Sequence, residues 1–108
     1  MQIVKLILIS LLNLVDCNVG PVNTTFCYAS DVTEEFTYIS SDGTPLNLIV
    51  NAGNVENNFD EFIVLDTDGT ELYNGYGDVG NLAGLAFQST GDEITVQVVS
   101  DFVTSCES

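Results

Sequence analysis

Glu93-Ile-Thr-Val-Gln-Val-Val-Ser100 alternates apolar and polar residues from Ile94 to Val98, the period of a strand with one face in a core. A helix would need apolar residues three and four apart, and no segment beyond the N-terminal run has that stripe. Working outward, Ser89-Thr-Gly-Asp92 is a glycine-bearing turn just before this strand, and Leu46-Asn-Leu-Ile-Val50 repeats the alternation upstream. Further strands are predicted over 24–28, 36–40, 46–51, 62–66, 71–73 and 82–88, with 93–100 as the last. Ser41-Asp-Gly-Thr-Pro45 and Asp66-Thr-Asp-Gly-Thr70 punctuate them, each with a glycine where a positive φ is expected. Seven short strands this close together predict an all-β fold, an antiparallel β-sandwich.

The charge inventory excludes more functions than any motif supports. The 108 residues carry sixteen acidic side chains against one basic one, Lys5, with no histidine and a net charge of −15. Beyond Lys5 no imidazole can act as a general base, no amine can form a Schiff base, and no guanidinium can clamp a phosphate. Such a surface repels nucleic acid and anionic lipid, because both are bound through Lys and Arg. The partner it favours most is a hard cation such as Ca²⁺, which takes carboxylate and carbonyl oxygens.

Residues 1–17 form an N-terminal apolar segment that reads as an export signal. Lys5 supplies a positive n-region, and Leu6-Ile-Leu-Ile-Ser-Leu-Leu-Asn-Leu-Val15 is an apolar run too short for a bilayer, which needs roughly 20 residues. The competing assignment is a first strand of the domain, which otherwise spans 18–108. Cys27 and Cys106 sit near the two ends of that domain. A disulfide between them would close a loop of about 80 residues, stabilising by roughly 4–5 kcal/mol in the chain-entropy model. Three free thiols, or a partner for Cys106 outside this sequence, are the alternatives, with Cys17 the odd residue. Asn23-Thr24-Thr25 is a glycosylation sequon, a triplet common by chance.

Two motifs lose to their context. Gly75-Tyr-Gly-Asp-Val-Gly80 matches G-x-G-x-x-G, yet no helix follows to hold a pyrophosphate and Asp78 would repel it, so a loop is expected. Asp66-Thr-Asp-Gly69 resembles the start of a calcium loop but lacks its spacing and flanking helices, so a β-turn is expected.

A third constellation covers more of the chain. Asn57-Asn-Phe-Asp-Glu-Phe-Ile-Val-Leu-Asp-Thr-Asp-Gly69 and Ser89-Thr-Gly-Asp-Glu-Ile-Thr-Val-Gln-Val-Val-Ser-Asp101 resemble the second half of a CUB domain. Leu46-Asn-Leu-Ile-Val-Asn-Ala-Gly-Asn-Val-Glu56 looks like that family's strand leading into an acidic loop. The resemblance runs from about Thr24 to Ser108 and is closest to the CUB-like modules of secreted bacterial surface proteins. It implies a jelly-roll sandwich, here without the family's last strand unless the N-terminal run replaces it. It also implies a Ca²⁺ site at Glu56, Asp60 and Asp101, with backbone carbonyls and water completing six to eight oxygens. The chain departs from the family at Asn58, where a cysteine usually stands, and in the short loop between Glu56 and Asp60.

The expected function is therefore a non-catalytic module, secreted or at the cell surface, that recognises protein or carbohydrate. In this family basic side chains are received at the ion site, here with Phe59 and Tyr76 nearby. The alternative is a structural subunit of a filament, matrix or adhesin that self-associates through edge strands. An enzyme working through a carboxylate pair such as Asp60 and Glu61 is disfavoured by the small scaffold and the absence of tryptophan.

Overall fold

The computed structural model describes residues 11–16, 22–24 and 33–100. Seven strands carry the fold: β1 (Leu11–Val15), β2 (Thr33–Ser40), β3 (Asn47–Ile49), β4 (Glu61–Leu65), β5 (Glu71–Gly75), β6 (Ala86–Gln88) and β7 (Glu93–Val99). They form a five-stranded sheet in the order β1-β2-β7-β4-β5 and a two-stranded sheet, β3-β6, packed into an all-β sandwich. The alternating strand that opens the sequence argument is the centre of the larger sheet. Its Ile94, Val96 and Val98 are buried, and it pairs antiparallel with β2 on one side and β4 on the other.

Those three side chains meet Phe36 of β2, Phe62 and Val64 of β4, and Leu46, Val55 and Leu82 from the layer above. Complete burial of a side chain such as Phe62 or Leu82 contributes about 1.5–3 kcal/mol. The outer face of the sheet is knit by polar pairs in register. Thr37 and Thr95 hydroxyls meet at 3.2 Å, and Gln97 Nε2 donates to Glu35 Oε1 at 3.2 Å.

The structure corrects two expectations. The larger sheet is not wholly antiparallel, since β1 runs parallel to β2, pairing Leu11 with Phe36 and Val15 with Ser40. The long connection from Val15 to Thr33 permits this, because parallel neighbours need a crossover of a dozen residues or more. The strand expected over 82–88 is confined to Ala86–Gln88. Gly84 adopts φ +91° and its N–H bonds to Val50 O at 2.8 Å, so the chain turns there and Leu82 enters the core from a loop. Of the strand expected over 24–28, Thr24 is irregular and the rest lies outside the described residues.

Candidate functional site

Two features compete for a functional role: an acidic end of the sandwich, and a groove beside β3. The acidic end is built by the turn that leads into β4. The N–H groups of Phe59 and Asp60 both donate to Glu56 O, at 3.3 and 3.0 Å, and Asn58 sits at φ 71° to close the turn. This folds Asp60 back so that its Oδ2 accepts from the Glu56 N–H at 3.4 Å, with Asp60 fully buried. The sequence-expected pair Glu56 and Asp60 is thus brought together on a single five-residue turn. The third residue, Asp101, lies outside the described residues, as do Cys27 and Cys106. β7 pairs Val99 with Glu61, so β7 leaves the sheet beside the strand that Asp60 precedes, and Ser100 is buried there.

The oxygen inventory of this turn suits a hard cation in type. Glu56 Oε1 and Asn57 Oδ1 are both shielded from solvent, and Asn57 Oδ1 accepts no hydrogen bond among the described residues. A buried amide oxygen without a donor is costly and calls for an explanation. The described residues hold no group of three acidic, cysteine or histidine side chains arranged to bind a metal.

The G-x-G-x-x-G segment is a loop against this turn. Gly80 N donates to Tyr76 O at 2.8 Å, Asn81 N to Asp78 O at 2.9 Å, and the Tyr73 hydroxyl accepts from Gly77 N at 2.9 Å. Gly80 stands at φ +93°, and a Cβ there would come within 2.5 Å of Val55 O, so only glycine allows the loops to meet. The preceding Val79 has φ 48°, an uncommon conformation for a β-branched residue, and is 72% exposed. Phe59 is 65% exposed on the neighbouring turn. Apolar side chains therefore protrude from an end rich in carboxylates.

Asp66-Thr-Asp-Gly69 is the β-turn the sequence predicts, with Gly69 N donating to Asp66 O at 2.9 Å. Its first two residues clasp the 89–92 turn. The Asp66 carboxylate accepts from Thr90 N at 2.8 Å, Thr67 N at 2.7 Å and the Thr90 hydroxyl at 2.9 Å. The Thr90 N–H first, then that of Thr67, holds this carboxyl below its ordinary value of 3.8. Its lone pairs are committed to the turn rather than to an ion.

The groove was not anticipated from the sequence. It has a volume of about 540 Å³ and lies between the inner face of the β2–β7 region and the segment from Leu46 to Asn54. Phe36, Tyr38, Ile94 and Val96 form its floor, and Val22 and Thr24 its far wall. Thr24 Oγ1 accepts from the Tyr38 hydroxyl at 2.6 Å, and burial pushes that hydroxyl's pKa up despite the hydrogen bond. Among the described residues no charged side chain lines the groove, in a chain with sixteen carboxylates. The local signal was Asn47, Asn51 and Asn54 interleaved with aliphatics, without an acid from 46 to 54.

No protein-family model and no curated protein matches this chain.

Proposed function

We propose that this is a non-catalytic recognition module, CUB-like and exported, that works at the cell surface or in the extracellular space. Ca²⁺ fixes its acidic end. The buried Asn57 Oδ1 without a donor, on the same turn as Glu56 and Asp60, carries the calcium assignment. Glu56, Asn57 and Asp60 would supply side-chain oxygens from one turn, and Asp101, following β7 in sequence, would supply the third carboxylate. Exposed Phe59 and Val79 beside these acids suit a partner that brings basic side chains on an apolar surface. Export rests on the apolar run after Lys5.

A thermal melt in EDTA followed by Ca²⁺ titration at constant ionic strength tests this. A site filled to 100 times its Kd stabilises by about 2.7 kcal/mol, which for a domain of this size raises the midpoint by roughly 10 °C or more. Asp60→Ala and Asp101→Ala each abolish the saturable rise, whereas Asp68→Ala, on the hydrogen-bonded turn, retains it. Equal loss in all three means diffuse charge screening and no site. The alternative of a self-assembling structural subunit draws support from the edge of β3 that no described strand pairs with, and size measurement at increasing concentration and high salt separates it from the first.

A further inference from the structure

The apolar run over 6–15 reads by sequence as an export segment, yet its second half is built into the larger sheet. Leu11–Val15 is β1, paired in parallel with β2 at five consecutive positions, from Leu11 beside Phe36 to Val15 beside Ser40. Leaders are normally cut off just beyond their apolar run. Such a cut would here remove the strand that lies against β2.

Three contacts tie β1 and its connection into the fold. Val15 O accepts from the N–H of Ser41 at 2.9 Å, one residue past the end of β2. The Val15 side chain packs against the core cluster, so β1 adds to the interior as well as to the ladder. The chain then passes back over the sheet, as a parallel neighbour requires. On that path Val22 lines the same groove as Val15, and Thr24 Oγ1 accepts from the Tyr38 hydroxyl of β2 at 2.6 Å.

A strand and an export segment make different demands on these residues. A strand with one face inward needs apolar side chains on that face alone. Val15 is on it, whereas Leu14, one residue earlier, is 67% exposed. An export segment is read by its summed hydrophobicity, to which both residues contribute. Strand duty therefore accounts for Val15 but not for a leucine at 14, and export accounts for both.

We propose that the run serves twice: it directs the chain out of the cell and is then kept as strand β1 of the exported protein, with any leader cleavage falling before Leu11. This rests on the export reading above, but on none of the residues of the calcium end.

The test begins with the full chain, expressed in a bacterial host with no leader added. The exported fraction is recovered and its N-terminus is fixed by intact mass. We expect a chain that begins at or before Leu11. The purified full chain is then melted beside Val15→Asp and Leu14→Asp. The first should lower the midpoint by roughly 10 °C or more and the second by no more than about 4 °C, because only the first sets a carboxylate against the core. If Val15→Asp does not fold, amide exchange on the unaltered protein decides. The Ser41 N–H should exchange at least about a hundredfold more slowly than in an unstructured chain. An exported chain that begins after Leu11 overturns the proposal and leaves export standing. Equal melting of the two variants, or an unprotected Ser41, overturns the structural half. A chain that stays inside the cell overturns the export half, and the export reading with it, even where the melts uphold β1.

Discussion

Replacing Thr67 by valine removes one oxygen from the clasp between the 66–70 and 89–92 turns and changes the shape of the side chain little. That oxygen serves three bonds. It donates to Glu93 O at 2.8 Å and accepts from Gly91 N at 3.0 Å and from Glu93 N at 3.3 Å. Gly91 packs so closely that a Cβ there would meet Thr67 Cγ2 at 2.9 Å, which keeps water from filling in readily. Each bond contributes about 0.5–1.5 kcal/mol net, and the groups left behind are half-buried, so the loss should total about 2–3 kcal/mol. In a domain of this size that lowers the melting midpoint by roughly 10 °C or more. Urea denaturation at pH 7 should show a lower midpoint with the slope unchanged, since no additional surface is exposed. Thr33→Val, at an exposed position of β2, is the control and should stay within about 0.5 kcal/mol. A Thr67→Val protein that melts with the control would falsify the clasp as a stabilising element, whatever its geometry.

Two further outcomes are expected. Asp42, Asp66 and Asp68 are all held below the ordinary carboxyl value of 3.8 by hydrogen bonds that favour the ionised form, from Thr44 first at Asp42, Thr90 at Asp66 and Thr70 at Asp68. A folded pKa lying below the unfolded one adds stability that is present above the ordinary value and is lost as pH falls through the folded value. Melts from pH 5 down to pH 2 should therefore fall less steeply for Asp66→Asn than for the unaltered protein, and parallel curves would remove Asp66 from the account. Val79→Asn should stabilise the fold by about 1 kcal/mol, since asparagine tolerates a left-handed backbone that a β-branched residue resists; a lower midpoint would show that Val79 carries packing its exposure hides.

The strands that could be read from sequence are those whose inward face repeats every second residue. Ile94, Val96 and Val98 announce β7, and the Phe62 to Leu65 run announces β4, because central strands bury enough side chains to leave a pattern. Leu82 misled for the converse reason. It is as buried as any strand residue, but it reaches the core from a loop, and periodicity cannot distinguish the two. The parallel placement of β1 depends on a pairing across a long connection, which leaves no local trace. Glu56 and Asp60 were singled out through the CUB-like resemblance, and a short turn joins them. The clasp of Asp66 and Thr67 on Thr90 and Gly91 was invisible because its partners stand more than twenty residues away in sequence and consist largely of backbone N–H groups. The groove was hardest of all to foresee, since its lining comes from segments far apart in sequence.

Among the described residues no strand pairs with the far side of β3, which bears on how copies of the chain stay apart. Exposed sheet edges are usually guarded by charge, proline or a bulge, because an unpaired row of N–H and C=O groups invites another chain. Here the segment from Leu46 to Asn54 has no charge and no proline, and the nearest acid after it is Glu56. The guard is instead global: a net charge of −15 makes like copies repel, while β3 itself is only three residues long. Such protection is selective. It opposes association with acidic chains and weakens as the partner becomes basic, so the device that keeps copies apart also selects a positively charged partner. Raising the salt concentration should therefore act in opposite directions, easing self-association while weakening the binding of a basic partner.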